Sequence, residues 1–127
     1  MNATDIFIDD WDAPAQFALD EATLPGGGVV MTAAGELDIA TVPALRRRLD
    51  AVIDAGAKRL VLDLSAVSFM DSVAMAAILH ARTRLSDGGR LAVVIPSGSY
   101  TRLVVEIAGL PRCLDLYETR ADALAAE

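Results

Sequence analysis

The stretch Arg59–Leu85, RLVLDLSAVSFMDSVAMAAILHARTRL, constrains the fold more than any other part of the chain. It opens with Leu60-Val61-Leu62-Asp63-Leu64, a near-continuous apolar run whose length and β-branched content suit a buried strand. After a short connection the chain reaches Phe69-Met70-Asp71-Ser72, and from Ser72 strong helix formers carry apolar residues at helical spacing. A strand that feeds a helix through a polar corner presents side chains beside orphan backbone N–H groups. Asp71 and Ser72 occupy that corner.

The flanking sequence alternates in the same way. Gln16 to Ala22 reads as an edge strand with Phe17 and Leu19 on one face, Leu24-Pro25-Gly26-Gly27-Gly28 as a turn, and Val29 to Leu37 as the returning strand of a hairpin. The glycine run is no phosphate loop, because no Lys-Ser or Lys-Thr follows it and a strand comes next. Thr41 is placed to cap a helix with Pro43 in its first turn. Val42, Leu45, Leu49, Val52 and Ile53 form its buried stripe, Arg46, Arg47 and Arg48 pass through its solvated side, and Gly56 stops it.

Beyond the central stretch, Asp87-Gly88-Gly89 ends the second helix and Leu91 to Ile95 forms a short buried strand closed by Pro96. Tyr100 to Ala108 reads as a third helix with Leu103, Val104 and Ile107 as its core stripe and Gly109 as its stop. Cys113 to Leu116 is a last strand, and Thr119 caps a C-terminal helix carrying Ala123 and Leu124. A hairpin followed by alternating helices and strands argues an α/β fold with right-handed crossovers. Residues 16–127 make up this domain and residues 1–15 an acidic extension. Within the extension Ile6, Phe7, Ile8 and Trp11 stand among acids. It reads either as a poorly ordered tail or, with Phe7 and Trp11 four apart, as a short amphipathic piece docking on the domain or a partner.

Composition excludes several functions. The 127 residues are 54% hydrophobic but only 5% aromatic, so the core is aliphatic. A net charge of -7 leaves no basic footprint for nucleic acid and favours a protein partner. Cys113 is the single cysteine, so no intrachain disulfide points to an oxidising compartment. No run approaches the roughly 18 apolar residues of a membrane span, and the acidic N-terminus is unlike a signal peptide. A cytoplasmic protein is expected, as a monomer or weak dimer.

At the corner, Ser72 caps the helix through its hydroxyl, or Asp71 caps it and leaves the Ser72 hydroxyl facing solvent. In the functional reading Ser72 accepts a phosphoryl group. The helix N-terminus tolerates the added charge of about -1.5 to -2, so the modification blocks a partner without unfolding the domain. Ser72 is no catalytic nucleophile. The only histidine, His80, lies eight residues along the same helix, about 12 Å away. No cysteine–histidine cluster or acidic spacing calls for a metal. No enzyme activity and no cofactor are expected. On a helical wheel Ala74, Ile78, Ala81 and Leu85 face the sheet, whereas Val73, Ala76, Ala77 and His80 fall on another side. Small apolar groups on an exposed face imply a protein contact, or a cover supplied by a loop or the N-terminal tail.

Gly35-Glu36-Leu37-Asp38, Ala57 to Leu64 (AKRLVLDL) and Val67-Ser68-Phe69-Met70-Asp71-Ser72 resemble the STAS domain, and within it the bacterial anti-sigma factor antagonists. The likeness covers roughly Phe17 to Leu124, including Gly109-Leu110 after the third helix. It implies a small mixed sheet of four or five strands packed against about four helices, mostly on one side. It also implies partner switching. The unphosphorylated antagonist binds an anti-sigma factor that is itself a serine kinase and releases a sigma factor. Phosphorylation ends the complex and a serine phosphatase restores it. On this resemblance Ser72 is the phosphoacceptor, and Asp38, Asp71, Ser72, Val73, Met75, Ala76, Ala77 and His80 form the partner surface. Val73, Ala74 and Met75 depart from the family's hydroxyl residue, glycine and leucine, so that Ala74 adds a methyl at the helix start. The alternative is a STAS subunit, never phosphorylated, of a lipid-transport or stress-signalling assembly.

Overall fold

The computed structural model describes residues 17–126; the Phe7–Trp11 reading lies outside them. The chain forms β1 (Phe17–Thr23), β2 (Val29–Leu37), α1 (Val42–Asp54), β3 (Arg59–Met70), α2 (Ser72–Leu85), β4 (Arg90–Val94), α3 (Tyr100–Ile107), a 3-10 turn at Leu110–Arg112, β5 (Asp115–Tyr117) and α4 (Arg120–Ala125). The five strands lie in sequence order in one sheet. β1 runs antiparallel to β2, and β2 through β5 are parallel. The expected mixed sheet and four helices are therefore present.

Alternation along the strands sorts two cores. Met31, Ala33, Leu60, Leu62, Leu64 and Val93 join residues of α1, α2 and α3 in the larger one, whereas Val30, Val61, Ala92 and Val94 meet Ala123 of α4 on the opposite face. Each fully buried Leu contributes roughly 1.5–3 kcal/mol, so the three-helix face carries most of the stability. The smaller face is stitched by polar contacts. Arg59 donates to the carbonyls of Leu124 (2.6 Å) and Ala126 (3.2 Å), which ties down the end of α4. Arg120 Nε donates to Asp63 at 2.9 Å, and Ser65 supplies both a backbone N–H (2.9 Å) and a hydroxyl (2.6 Å) to the same carboxylate. Burial pushes the Asp63 carboxyl up, but the Ser65 donors and Arg120 together outweigh it and hold it below the ordinary carboxylate value.

The helix ends follow from local chemistry. Gly56 adopts φ +102°, and Gly56 and Ala57 donate to Ile53 and Val52, closing α1 with the paired reverse bonds that a left-handed residue permits. Thr41 stands at the N-cap position, but its hydroxyl caps nothing in the helix. It donates instead to the Glu36 carbonyl at 2.7 Å and accepts from the Asp38 N–H at 3.0 Å. The turn is closed by the Asp38 carboxylate, which accepts from the N–H groups of Ala40 and Thr41.

Three expectations are corrected. β3 does not end at Leu64 but continues to Met70, because irregularities in register beside Thr32–Ala34 and Gly35–Glu36 keep β2 paired to it through Leu37↔Met70. α3 buries Thr101 and Val105, while Leu103 and Ile107 of the expected stripe are 52% and 77% exposed. The Thr101 hydroxyl donates to the Val67 carbonyl at 3.1 Å, so the face is fixed by the edge of β3 that β4 leaves uncovered. The last strand begins at Asp115, because Leu110–Arg112 turns first and Leu114 drops into the core.

Candidate functional site

The carboxyl ends of β2 and β3 lie side by side. Their final pair is Leu37↔Met70, and the Asp71 N–H donates to the Leu37 carbonyl at 3.3 Å. The residues that follow, Asp38 and Asp71, therefore leave the sheet one strand spacing apart, about 5 Å between backbones. The structure brings these two predicted residues together.

Of the two candidate caps for α2, Asp71 takes the role. Its backbone is extended (φ -115°, ψ -173°), and its Oδ1 accepts from the N–H groups of Val73 (3.0 Å) and Ala74 (3.3 Å). Ser72 is the first helical residue, exposed, and its hydroxyl has no hydrogen-bond partner among the described residues. The corner thus carries two carboxylates, each engaged through Oδ1 with its own turn, beside one free hydroxyl. His80 is exposed two turns further along α2, and among the described residues neither carboxylate of the corner is hydrogen-bonded to that hydroxyl.

The remaining predicted residues divide. Val73 is 40% exposed, Ala76 is exposed, and Met75 is partly buried against the core. Ala77 is corrected: at 1% exposure it belongs to the core and offers a partner nothing. Helix α2 packs against α1 as well as the sheet, with Arg84 bridging Asp50 (3.0 Å) and Asp54 (2.6 Å), so its buried arc is wider than a single-neighbour stripe. Ala74 is fully buried, so its added methyl points into the core and leaves the approach to Ser72 open. Of the departures at Val73 and Ala74, only Val73 changes the exposed surface.

Sequence reasoning missed three exposed apolar residues at this end of the sheet. Ile39 follows Asp38 and is 76% exposed, Phe69 precedes Met70, and Tyr100 opens α3. Phe69 and Tyr100 stack with ring centroids 6.4 Å apart. An isoleucine in an otherwise polar turn was the available signal for the first. The stack joins residues far apart in sequence and left none.

A single α/β domain with a five-stranded mixed sheet and four helices is the fold of the solved anti-sigma factor antagonists. The family model for the STAS domain matches residues 21–123, and the chain belongs to the STAS domain family. The sequence is similar to the anti-sigma-F factor antagonist RsfB of Mycobacterium tuberculosis, with 33% identity over 77% of this chain and 80% of that one. Among solved structures it resembles an anti-sigma factor antagonist from Mycobacterium paratuberculosis (31% identity, TM-score 0.80, 88% of this chain and 94% of that one). It also resembles the Bacillus cell-fate determinant SpoIIAA in its phosphorylated form (25% identity, TM-score 0.63, 84% and 96%).

Proposed function

We propose that this chain is an anti-sigma factor antagonist whose docking on an anti-sigma factor with serine kinase activity frees a sigma factor, and that phosphorylation of Ser72 ends the contact. The observation that carries this reading is the division of labour at the corner. Asp71 alone satisfies the first N–H groups of α2, so the exposed Ser72 hydroxyl is available for modification without loss of a cap. The names of the relatives support the antagonist role, and the solved phosphorylated form of SpoIIAA supports the switch. The docking surface is Asp38, Asp71, Ser72, Val73, Met75, Ala76 and His80, with Ile39 added and Ala77 removed. A phosphate of charge about -1.5 to -2 placed there sits beside two carboxylates. The bulk and charge of the group at an exposed corner exclude a partner seated there, while the N-terminal end of the α2 dipole, worth about 0.3–1 kcal/mol for an anion, favours the modified residue in the folded domain.

In this reading the domain spans residues 16–127, acts in the cytoplasm as a regulator and not an enzyme, and is returned to its active form by a serine phosphatase. No helix among the described residues is long and apolar enough to cross a membrane. The test is intact mass after incubation with ATP and a candidate anti-sigma kinase, alongside Ser72→Ala. The expected result is one added phosphate, absent from the variant, with the complex lost on phosphorylation. Binding without phosphate gain would keep the antagonist role and overturn Ser72 phosphorylation as its switch, pointing to an antagonist regulated elsewhere. Neither binding nor phosphate, across all candidate kinases of the source organism, would overturn the antagonist reading.

A further inference from the structure

The large hydrophobic side chains left exposed among the described residues are Ile39, Phe69, Val73, Tyr100, Leu103 and Ile107. Four of them form a band, with Phe69 stacked on Tyr100 and Leu103 and Ile107 continuing along α3 at spacings of three and four residues. Tyr100 and Leu103 also line a shallow, open depression together with Gly98, Ser99, Arg102 and Glu106. Contiguous exposed apolar side chains of this kind on a small domain mark contact surfaces.

The topology nominates one. Because β1 is antiparallel to β2, the chain enters the sheet at the same end as the band: Phe17 pairs with Gly35, and Gly35 with Val67. Val67 is the residue that anchors α3 through Thr101. Two strand spacings cover the first part of that path, about 10 Å, and the width of one helix covers the rest, about 10–12 Å. Sixteen residues precede β1, and they include Ile6, Phe7, Ile8 and Trp11. Trp11 stands six residues before Phe17 and Phe7 ten, giving extended reaches of about 20 Å and about 33 Å. We propose that the segment Ile6–Trp11 of this same chain docks on the Phe69–Tyr100–Leu103–Ile107 band, with Asp5, Asp9, Asp10 and Asp12 remaining in solvent. The contact is intramolecular and does not depend on modification of Ser72.

Trp11 is the only tryptophan in the chain and reports directly on the contact. The experiment measures its emission maximum and acrylamide quenching in the full-length protein over a dilution series, and after unfolding in guanidinium. Docking predicts blue-shifted emission and quenching severalfold weaker than in the unfolded chain, both independent of concentration. The double variant Leu103→Asp/Ile107→Asp should restore solvent-like emission while its circular-dichroism melt stays close to that of the parent, since both positions are exposed. Phe7→Asp/Ile8→Asp should do the same from the other side of the contact. Solvent-like emission in the parent would overturn the proposal. A blue shift indifferent to both variants would also overturn it, and one that fades on dilution would give the band to a second copy. Solvent-like emission that shifts only when the anti-sigma factor is added would give it to that partner.

Discussion

The capping arrangement at the start of α2 makes a prediction that separates two neighbouring residues. Asp71 accepts from two N–H groups through one oxygen, and Ser72 accepts from none of the described residues. Replacing an aspartate cap with alanine costs about 0.5–2 kcal/mol, and the two engaged donors place Asp71→Ala in the upper half of that range. The loss cannot be absorbed by fraying, because Ala74 in the first turn is fully buried and Ala77, Ile78, Ala81 and Leu85 follow it into the core. For a chain of 127 residues this corresponds to a fall in Tm of about 5–8 °C. Asp71→Asn keeps the acceptor and loses only the interaction of the charge with the helix dipole, about 0.3–1 kcal/mol. Ser72→Ala should stay within about 0.5 kcal/mol of the parent, as expected for an exposed position with nothing to lose. Urea unfolding followed by far-ultraviolet circular dichroism, with unchanged m, measures all three. A Ser72→Ala variant as destabilised as Asp71→Ala would refute the assignment. It would make the serine a structural cap, and its modification would then cost stability as well as binding.

Other outcomes follow from the same contacts. Asp63 has its folded-state carboxyl held below the ordinary value, so the unfolded chain binds the proton more readily; its contribution is complete above about pH 4 and is lost as pH falls below that. The stability of the parent should therefore drop more steeply between pH 4 and lower values than that of Asp63→Asn, and parallel acid-unfolding curves would contradict this. Gly89 has no room for a side chain: a Cβ there would lie 2.7 Å from the Leu85 carbonyl oxygen and 2.9 Å from that of Lys58, so Gly89→Ala should lose about 1–3 kcal/mol in denaturant unfolding. Thr101→Val leaves the Val67 carbonyl buried without its donor and should cost about 1–3 kcal/mol, loosening α3 first in hydrogen exchange. Ala77→Asp should unfold the domain, whereas Ala76→Asp should remain folded and lose affinity for the anti-sigma factor in titration calorimetry.

What could be read from the sequence was set by how local each determinant is. The strand at Leu60 and the helix from Ser72 to Leu85 were legible because an apolar run and a helical period are written within a few turns of chain. The pairing of Asp38 with Asp71 came from a resemblance and is explained by the Leu37↔Met70 register, which no single segment displays. The choice of cap was illegible, since serine and aspartate are both good caps. It was decided by backbone shape, with Asp71 extended and Ser72 already helical. The length of β3 was hidden by Ser65, Ala66 and Ser68, polar or small residues that stay in the strand only because a long, irregular β2 runs beside them. The face of α3 was misread for a related reason. Its most hydrophobic side is Leu103 and Ile107, yet the helix stands on β3 through Thr101, and a buried hydrogen bond outranked the apolar stripe. On the docking proposed above, the apolar face that α3 turns outward, at the sheet end where the chain enters, serves that contact. The reach of the residues before Phe17 makes their apolar cluster a candidate for it that needs no second molecule.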